Sequence, residues 1–241
     1  MSILNSLQSA SIRLIGQKPG AFFASSEEFE LELFDFVNEV AKDICKYADW
    51  QALTKLHAIA GDGITETFAL LAEYDRRLLV TDIQDLNNWY WDYQHIANIN
   101  DFLFFKTRGA EYSTPGAWTI YNNELNFFPA PAAGSSAIFP YVSANYAVPQ
   151  GGGIPTAEFM SDSDEFIIRG GERLLTLGLV WRWRENKKLD YTGDQEAFMM
   201  LIDQLAAKDK GSTVIRDRSN NPDRWNTGQA LPGLLGPLYG H

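Results

Sequence analysis

The sequence predicts an α+β protein: a helical bundle built from the N- and C-terminal helices, with an inserted antiparallel β domain and an extended C-terminal arm. Three observations carry this expectation. Apolar residues recur at helical spacing near both ends, period-two runs fill the middle, and the last thirty residues follow neither period. The chain therefore divides into helices over 1–50, a β insertion over 51–155, returning helices over 156–211 and an arm over 212–241.

Taking the elements in order, Leu4, Leu7, Ser11 and Leu14 mark one face of a first helix that breaks between Gly16 and Gly20. Ser25 followed by Glu28 has capping-box spacing, in which a side-chain oxygen accepts an orphaned backbone N–H. The helix it opens runs to about Ala48, with Phe29, Leu33, Val37, Val40 and Ile44 on one side. Trp50 closes that layer. From Leu53 the period changes to two, and Gly61-Asp62-Gly63 reads as the turn of a hairpin. Asn98 caps a short helix. A second hairpin joins AWTIY to ELNFF through Asn122-Asn123, residues that tolerate the left-handed backbone of a tight turn. Residues 136–148 form a further strand, where Pro140 suggests an edge or a bulge because it cannot donate to the ladder. Gly151-Gly152-Gly153 and Pro155 lead back to helices. There Asp162 with Glu165 and Thr192 with Gln195 repeat the capping spacing, so one helix is expected over 163–186 and another after 192.

The composition bounds the function. With 241 residues, 45% hydrophobic and 13% aromatic, the chain can bury a sizeable core. A lone cysteine, Cys45, sits in an apolar helical pattern and reads as an inert core thiol in a reducing compartment. No basic leader and no run of roughly 20 apolar residues is present, so neither secretion nor membrane insertion is expected. The net charge of −11 argues against tight DNA binding, which requires clustered Lys and Arg to displace counterions. Such a surface does suit DNA that must slide past.

Candidate chemistry is sparse. His57, His95 and His241 are scattered, and no paired Cys or HExxH spacing accompanies them, so no metal, cofactor or catalytic site is expected. The triple glycine at 151 lacks the Lys-Ser or Lys-Thr of a phosphate loop. Asp162, Asp164 and Glu165 read as helix-capping carboxylates rather than as an acid/base cluster. Trp89, Tyr90, Trp91 and Tyr93 are the densest aromatic group. They read first as core and, alternatively, as a platform that stacks on a sugar in a carbohydrate-binding tail or surface module. Arg182, Arg184, Lys187 and Lys188 gather positive charge at the end of the Trp181 helix, as a solvated helix end or as contacts to an acidic neighbour or passing phosphate. The arm holds Trp225, Leu231, Leu234, Leu235, Leu238 and Tyr239 as spaced apolar anchors, the pattern of a segment that orders on a partner.

In layout, the chain resembles the head-to-tail adaptor proteins of tailed bacteriophages. The resemblance lies in NEVAKDICKYADW (38–50), WTIYNNELNFFPAP (118–131) and residues 159–211, which include WRWRENKKLDYTGDQEAF. It implies a non-enzymatic virion protein of the neck, assembled in the host cytoplasm. Its implied partners are the portal protein, neighbouring adaptor subunits in a dodecameric ring, and a downstream tail or nozzle protein. DNA would pass through without specific binding, and no membrane or cofactor is implied. The arm anchors would grip the portal or a neighbour, and the cationic residues 182–188 would face other subunits or the channel.

Overall fold

The computed structural model describes residues 2–78, 81–85, 92–108 and 116–210. Among them are five α-helices: α1 Ile3–Ile15, α2 Glu28–Tyr47, α3 Ile99–Arg108, α4 Gly171–Asn186 and α5 Thr192–Asp209. The strands are β1 Thr54–Ala60, β2 Thr67–Ala69, β3 Tyr74–Arg77, β4 Ile83–Asp85, β5 Asp92–His95, β6 Ala117–Tyr121, β7 Glu124–Phe128, β8 Ser136–Ser143, β9 Ala147–Val148 and β10 Glu165–Phe166.

The protein is α+β, but the expectation of a helical bundle carrying an inserted antiparallel β domain is overturned. A large eight-stranded sheet dominates the β portion, in the order β1-β8-β4-β5-β6-β7-β2 with β3 also on β8. It is not purely antiparallel, because β5 and β6 run parallel in the register Gln94↔Ala117 and His95↔Trp118. Parallel neighbours need a crossover of a dozen or more residues, and α3 lies in that connection. The sheet grew beyond the expected insert because β3, β4 and β5 span only three or four residues each, too few to display a period of two.

The segment around Gly61-Asp62-Gly63 is not a hairpin. β1 pairs with β8 from Thr54↔Val142 to Ala60↔Ser136, while β2 pairs with β7 at the opposite edge. Asp62 instead closes a local turn, its Oδ1 accepting the N–H groups of Ile64 at 2.8 Å and Thr65 at 2.7 Å. The second hairpin forms as its turn chemistry requires: Asn122 and Asn123 adopt φ of 54° and 59° between β6 and β7.

Pro140 lies inside the sheet, not at its edge. The Gly61 N–H donates to Ser135 O at 3.0 Å and the Ala144 N–H to Glu73 O at 2.8 Å, which fixes the alternation of β8. Even-numbered residues of β8 therefore turn their N–H groups toward β3 and β4. Position 140 falls between the two, since β4 pairs only at Ile138 and Ala137 and β3 only from Tyr141 onward. The missing donor thus meets a gap in the ladder.

Two cores form. In the larger, α4 is buried without a break from Leu174 to Trp181, against α1, α2 and α5. In α2, Leu33, Val37, Val40 and Ile44 face it, and the Trp50 Nε1–H donates to Ile44 O at 2.7 Å, closing the layer. The smaller core lies on the sheet, where Trp118, Phe127, Phe139 and Tyr93 interlock edge to face.

The helix boundaries correct three capping readings. Ser25 accepts only the Glu27 N–H, and α2 starts at Glu28 without a side-chain cap. Thr192 is the first residue of α5 rather than its cap; its N–H donates to Asp190 Oδ1 at 3.2 Å. Asp162 and Glu165 start no helix, and the stretch 163–170 is not helical. Asp162 accepts the Phe22 N–H at 3.1 Å, Asp164 accepts Met160 and Ser161 N–H at 2.7 and 2.9 Å, and Glu165 lies in β10. These carboxylates found donors in loops, one of them 140 residues away in sequence. α4 begins only after Gly170, at φ 77°.

Candidate interaction surfaces

The cationic end of α4 is largely neutralised within the chain. The Arg182 guanidinium contacts Asp43 at 2.6 Å, Glu185 at 3.4 Å and Glu39 at 3.8 Å. Burial works against its charge, yet Asp43, Glu39 and Glu185 outweigh burial and hold its pKa above the ordinary value. Arg184 pairs with Asp194 at the start of α5. Lys187 reaches Glu32 Oε1 at 2.6 Å, which raises its pKa, while Glu32 Oε2 accepts the Trp183 Nε1–H at 3.0 Å. Lys188 is exposed at φ 57°, with no ion pair among the described residues. Of the four cations picked out from sequence, it is the one with no acidic partner among the described residues.

Beside this end, a cleft of about 450 Å³ opens between the end of α1, the start of α2 and the end of α4. Ile15, Phe29 and Trp183 give it an apolar wall, and Glu27, Glu28, Glu30 and Glu32 an acidic rim. The first-turn carboxylates also complement the positive end of the α2 dipole.

Exposed apolar side chains gather on α3, where Ile99, Leu103 and Phe104 face out while Phe102 is buried. The Arg108 guanidinium covers the Phe104 ring at 4.4 Å. On α5, Met199 and Met200 are exposed while Phe198 and Ile202 are buried.

The residues that fasten the sheet to the helices escaped sequence reading. Arg76 on β3 donates to Ala48 O at 2.8 Å and Cys45 O at 3.2 Å, and contacts Asp49 at 3.0 Å and Asp75 at 2.6 Å. One guanidinium thereby satisfies carbonyls at the end of α2. Glu73 gathers Lys55, Tyr141, Ser143 and Asn145, and the bonds from Lys55 and Tyr141 hold its carboxyl below the ordinary range. Asn38 on α2 accepts the Phe159 N–H at 2.8 Å and the Tyr146 hydroxyl at 3.0 Å. Each is a single polar residue most of whose partners lie far away in sequence, so the local window carries only a weak signal of its role.

Several expected site residues fall outside the described residues: Trp89, Tyr90 and Trp91 of the aromatic group, and Trp225, Leu231, Leu234, Leu235, Leu238 and Tyr239 of the arm. Tyr93 is described and is core, 1% exposed and 5.4 Å from Phe127, so it offers no face to a sugar.

The described histidines and the cysteine assemble no reactive constellation. His95 packs on Trp118 at 4.6 Å, with its pKa lowered by burial and by Arg77, and His57 lies half-buried in β1. Burial pushes the Cys45 thiol up to about 12, far from a thiolate at neutral pH. Among the described residues no group of three His, Cys, Asp or Glu could hold a metal ion, and no helix is long and apolar enough to cross a membrane.

No curated protein matches the sequence. The model of one family, the SU10 adaptor protein, matches residues 2–228, a span that takes in every described helix and strand. The protein thus belongs to the SU10 adaptor protein family of phage head-to-tail adaptors and has a structural role in the phage.

Proposed function

We propose that the protein is a ring-forming adaptor of the virion neck that docks on the portal, joins it to the downstream tail or nozzle protein and continues the DNA channel. The family match over residues 2–228 carries this reading. The charge supports it. The last thirty-one residues hold three Arg against two Asp, so a net −12 lies on residues 1–210, a body that gives a passing polyanion no fixed station. The spaced anchors Trp225, Leu231, Leu234, Leu235, Leu238 and Tyr239 serve as the grip on the portal or on a neighbouring subunit. Lys188, which has no acidic partner among the described residues, serves as the cation for an inter-subunit or channel contact, and Arg182, Arg184 and Lys187 hold the helix end that presents it. Repeated head-to-tail contacts that close by rotation give a ring, for which a dodecamer is the proposed size.

The mass of the purified protein in solution, alone and after mixing with the portal of the same phage, tests the reading. A monomer that forms one defined multimeric complex on the portal is the expected outcome. A protein whose mass is unaffected by the portal would overturn portal docking.

A further inference from the structure

We propose that the outer edge of β1 is the seat of tail residues 212–216, which add to the sheet as a strand parallel to β1. β1 is a terminal strand of the eight-stranded order, paired to β8 on one side through seven consecutive residues without a bulge. By the alternation that the Gly61–Ser135 bond fixes, its odd-numbered residues bond to β8. Leu56, Ala58 and Ala60 therefore aim their N–H and C=O groups outward, and no partner takes them among the described residues. Native sheets blunt such edges with charged side chains, proline, bulges or a covering element, and the one charged residue of β1, Lys55, is drawn to Glu73. β1 has neither proline nor bulge, and Leu56 on it is 71% exposed.

The tail starts beside this edge. Asp209, the last residue of α5, accepts the Gln51 N–H at 2.8 Å, and Gln51 opens the 3-10 turn that leads directly into β1. Three residues span at most about 10 Å, so the chain after Asp209 and the chain after Gln51 reach residues 212 and 54 from a common point. Running forward from there, the tail lies parallel to β1. An antiparallel course would first require about 23 Å of chain to reach the far end of a seven-residue strand. The sheet already tolerates parallel pairing at β5 and β6.

Chemistry selects the same segment. Thr213, Val214 and Ile215 are the only three consecutive β-branched residues of the tail, and they precede its first proline, Pro222. Their side chains would extend the surface of Leu56, Ala58 and Ala60. Beyond Arg216 the tail would leave near the Ala60 end of β1, which gives the apolar anchors from Trp225 onward a fixed point of departure. The proposal concerns the isolated chain and does not rest on portal docking.

Amide hydrogen exchange on the full-length monomer tests it. The Leu56, Ala58 and Ala60 amides should exchange at least about ten-fold more slowly than in a chain ending at Lys210, with α5 amides unchanged as the folding control. This slowing should persist on ten-fold dilution. Alternate residues of a strand face its partner, so Val214→Pro and Ile215→Pro between them remove a donor in either register, and at least one should restore fast exchange. Equal rates in the full-length and shortened chains would overturn the proposal. So would slowing that appears only on self-association or on portal binding, since a neighbouring copy or the portal would then supply the strand.

Discussion

Gly178 shows how one residue governs the packing of the helical layer. A Cβ at that position would lie 2.3 Å from Val40 Cγ1 and 3.2 Å from Phe198 Cε2, so α2 and α5 close on α4 at a distance only glycine permits. Gly178→Ala is expected to lower stability by about 1–3 kcal/mol through overpacking, although alanine is the better helix former. Gly20→Ala, where a Cβ meets nothing within 4 Å, should stay near neutral in the same denaturant titration. An equally small loss for both variants would show that the α2–α4 contact relaxes freely. Glu73 works by charge instead of volume. Its folded pKa lies below the ordinary value of 4.5 because Lys55 and Tyr141 bond to the ionised form. The resulting stabilisation is complete above pH 4.5 and is lost below it as the pH falls through the folded value. Glu73→Gln should therefore be less stable than the parent at pH 7, and the gap should narrow as urea titrations are repeated toward pH 3. A gap that is constant with pH would assign the loss to hydrogen-bond geometry alone.

Among the elements, the β6–β7 hairpin states its structure most openly. Both Asn122 and Asn123 take positive φ, where a β-branched side chain is strained by roughly 1–2 kcal/mol. Asn123→Val should lower the unfolding midpoint accordingly, while Asn123→Gly should hold or raise it; the reverse order would mean that the turn backbone rearranges. The same locality explains what could be read from sequence. α1, α2 and α5 each carry their apolar period within their own turns, Asn98 marks the start of α3, and Gly16 at φ 72° stops α1 where the pattern breaks. β1 gave no such guidance. Its period-two pattern is genuine, but its partner β8 lies about eighty residues downstream, and a turn at Asp62 looks the same whether its flanks pair together or diverge. The start of α4 was misread for a related reason. Asp162 has the composition of a cap, but the donors it meets belong to Phe22 and Phe23, which no local window contains. The cationic helix end was legible as charge, whereas the carboxylates of Asp43 and Glu32 that neutralise it lie 139 and 155 residues away.

At the scale of the whole molecule, the question is how an acidic body and a weakly cationic tail divide the work of assembly. The helical core, the sheet and the Arg76 clamp between them involve residues up to Asp209, and no bond described within that body requires the tail. Removing residues 212–241 should therefore leave the helical circular dichroism nearly intact. Binding is another matter. In the proposed docking, a tail tethered to a body already on the portal would act at a high effective concentration, so its apolar anchors would multiply the affinity of the body alone. The deletion should weaken portal binding by about 10²-fold or more, the lower bound for a second tethered contact, and chiefly by speeding dissociation. Replacing Trp225, Leu231, Leu234 and Leu235 together by Ser should reproduce most of that loss while keeping the tail's length and charge. If the deletion weakens binding and the four-fold serine variant does not, the tail acts through its Arg216, Arg218 and Arg224 charges, and the loss should then shrink as salt is raised. Unchanged binding after deletion would leave the grip to the body alone, with the exposed face of α3 as the next surface to mutate.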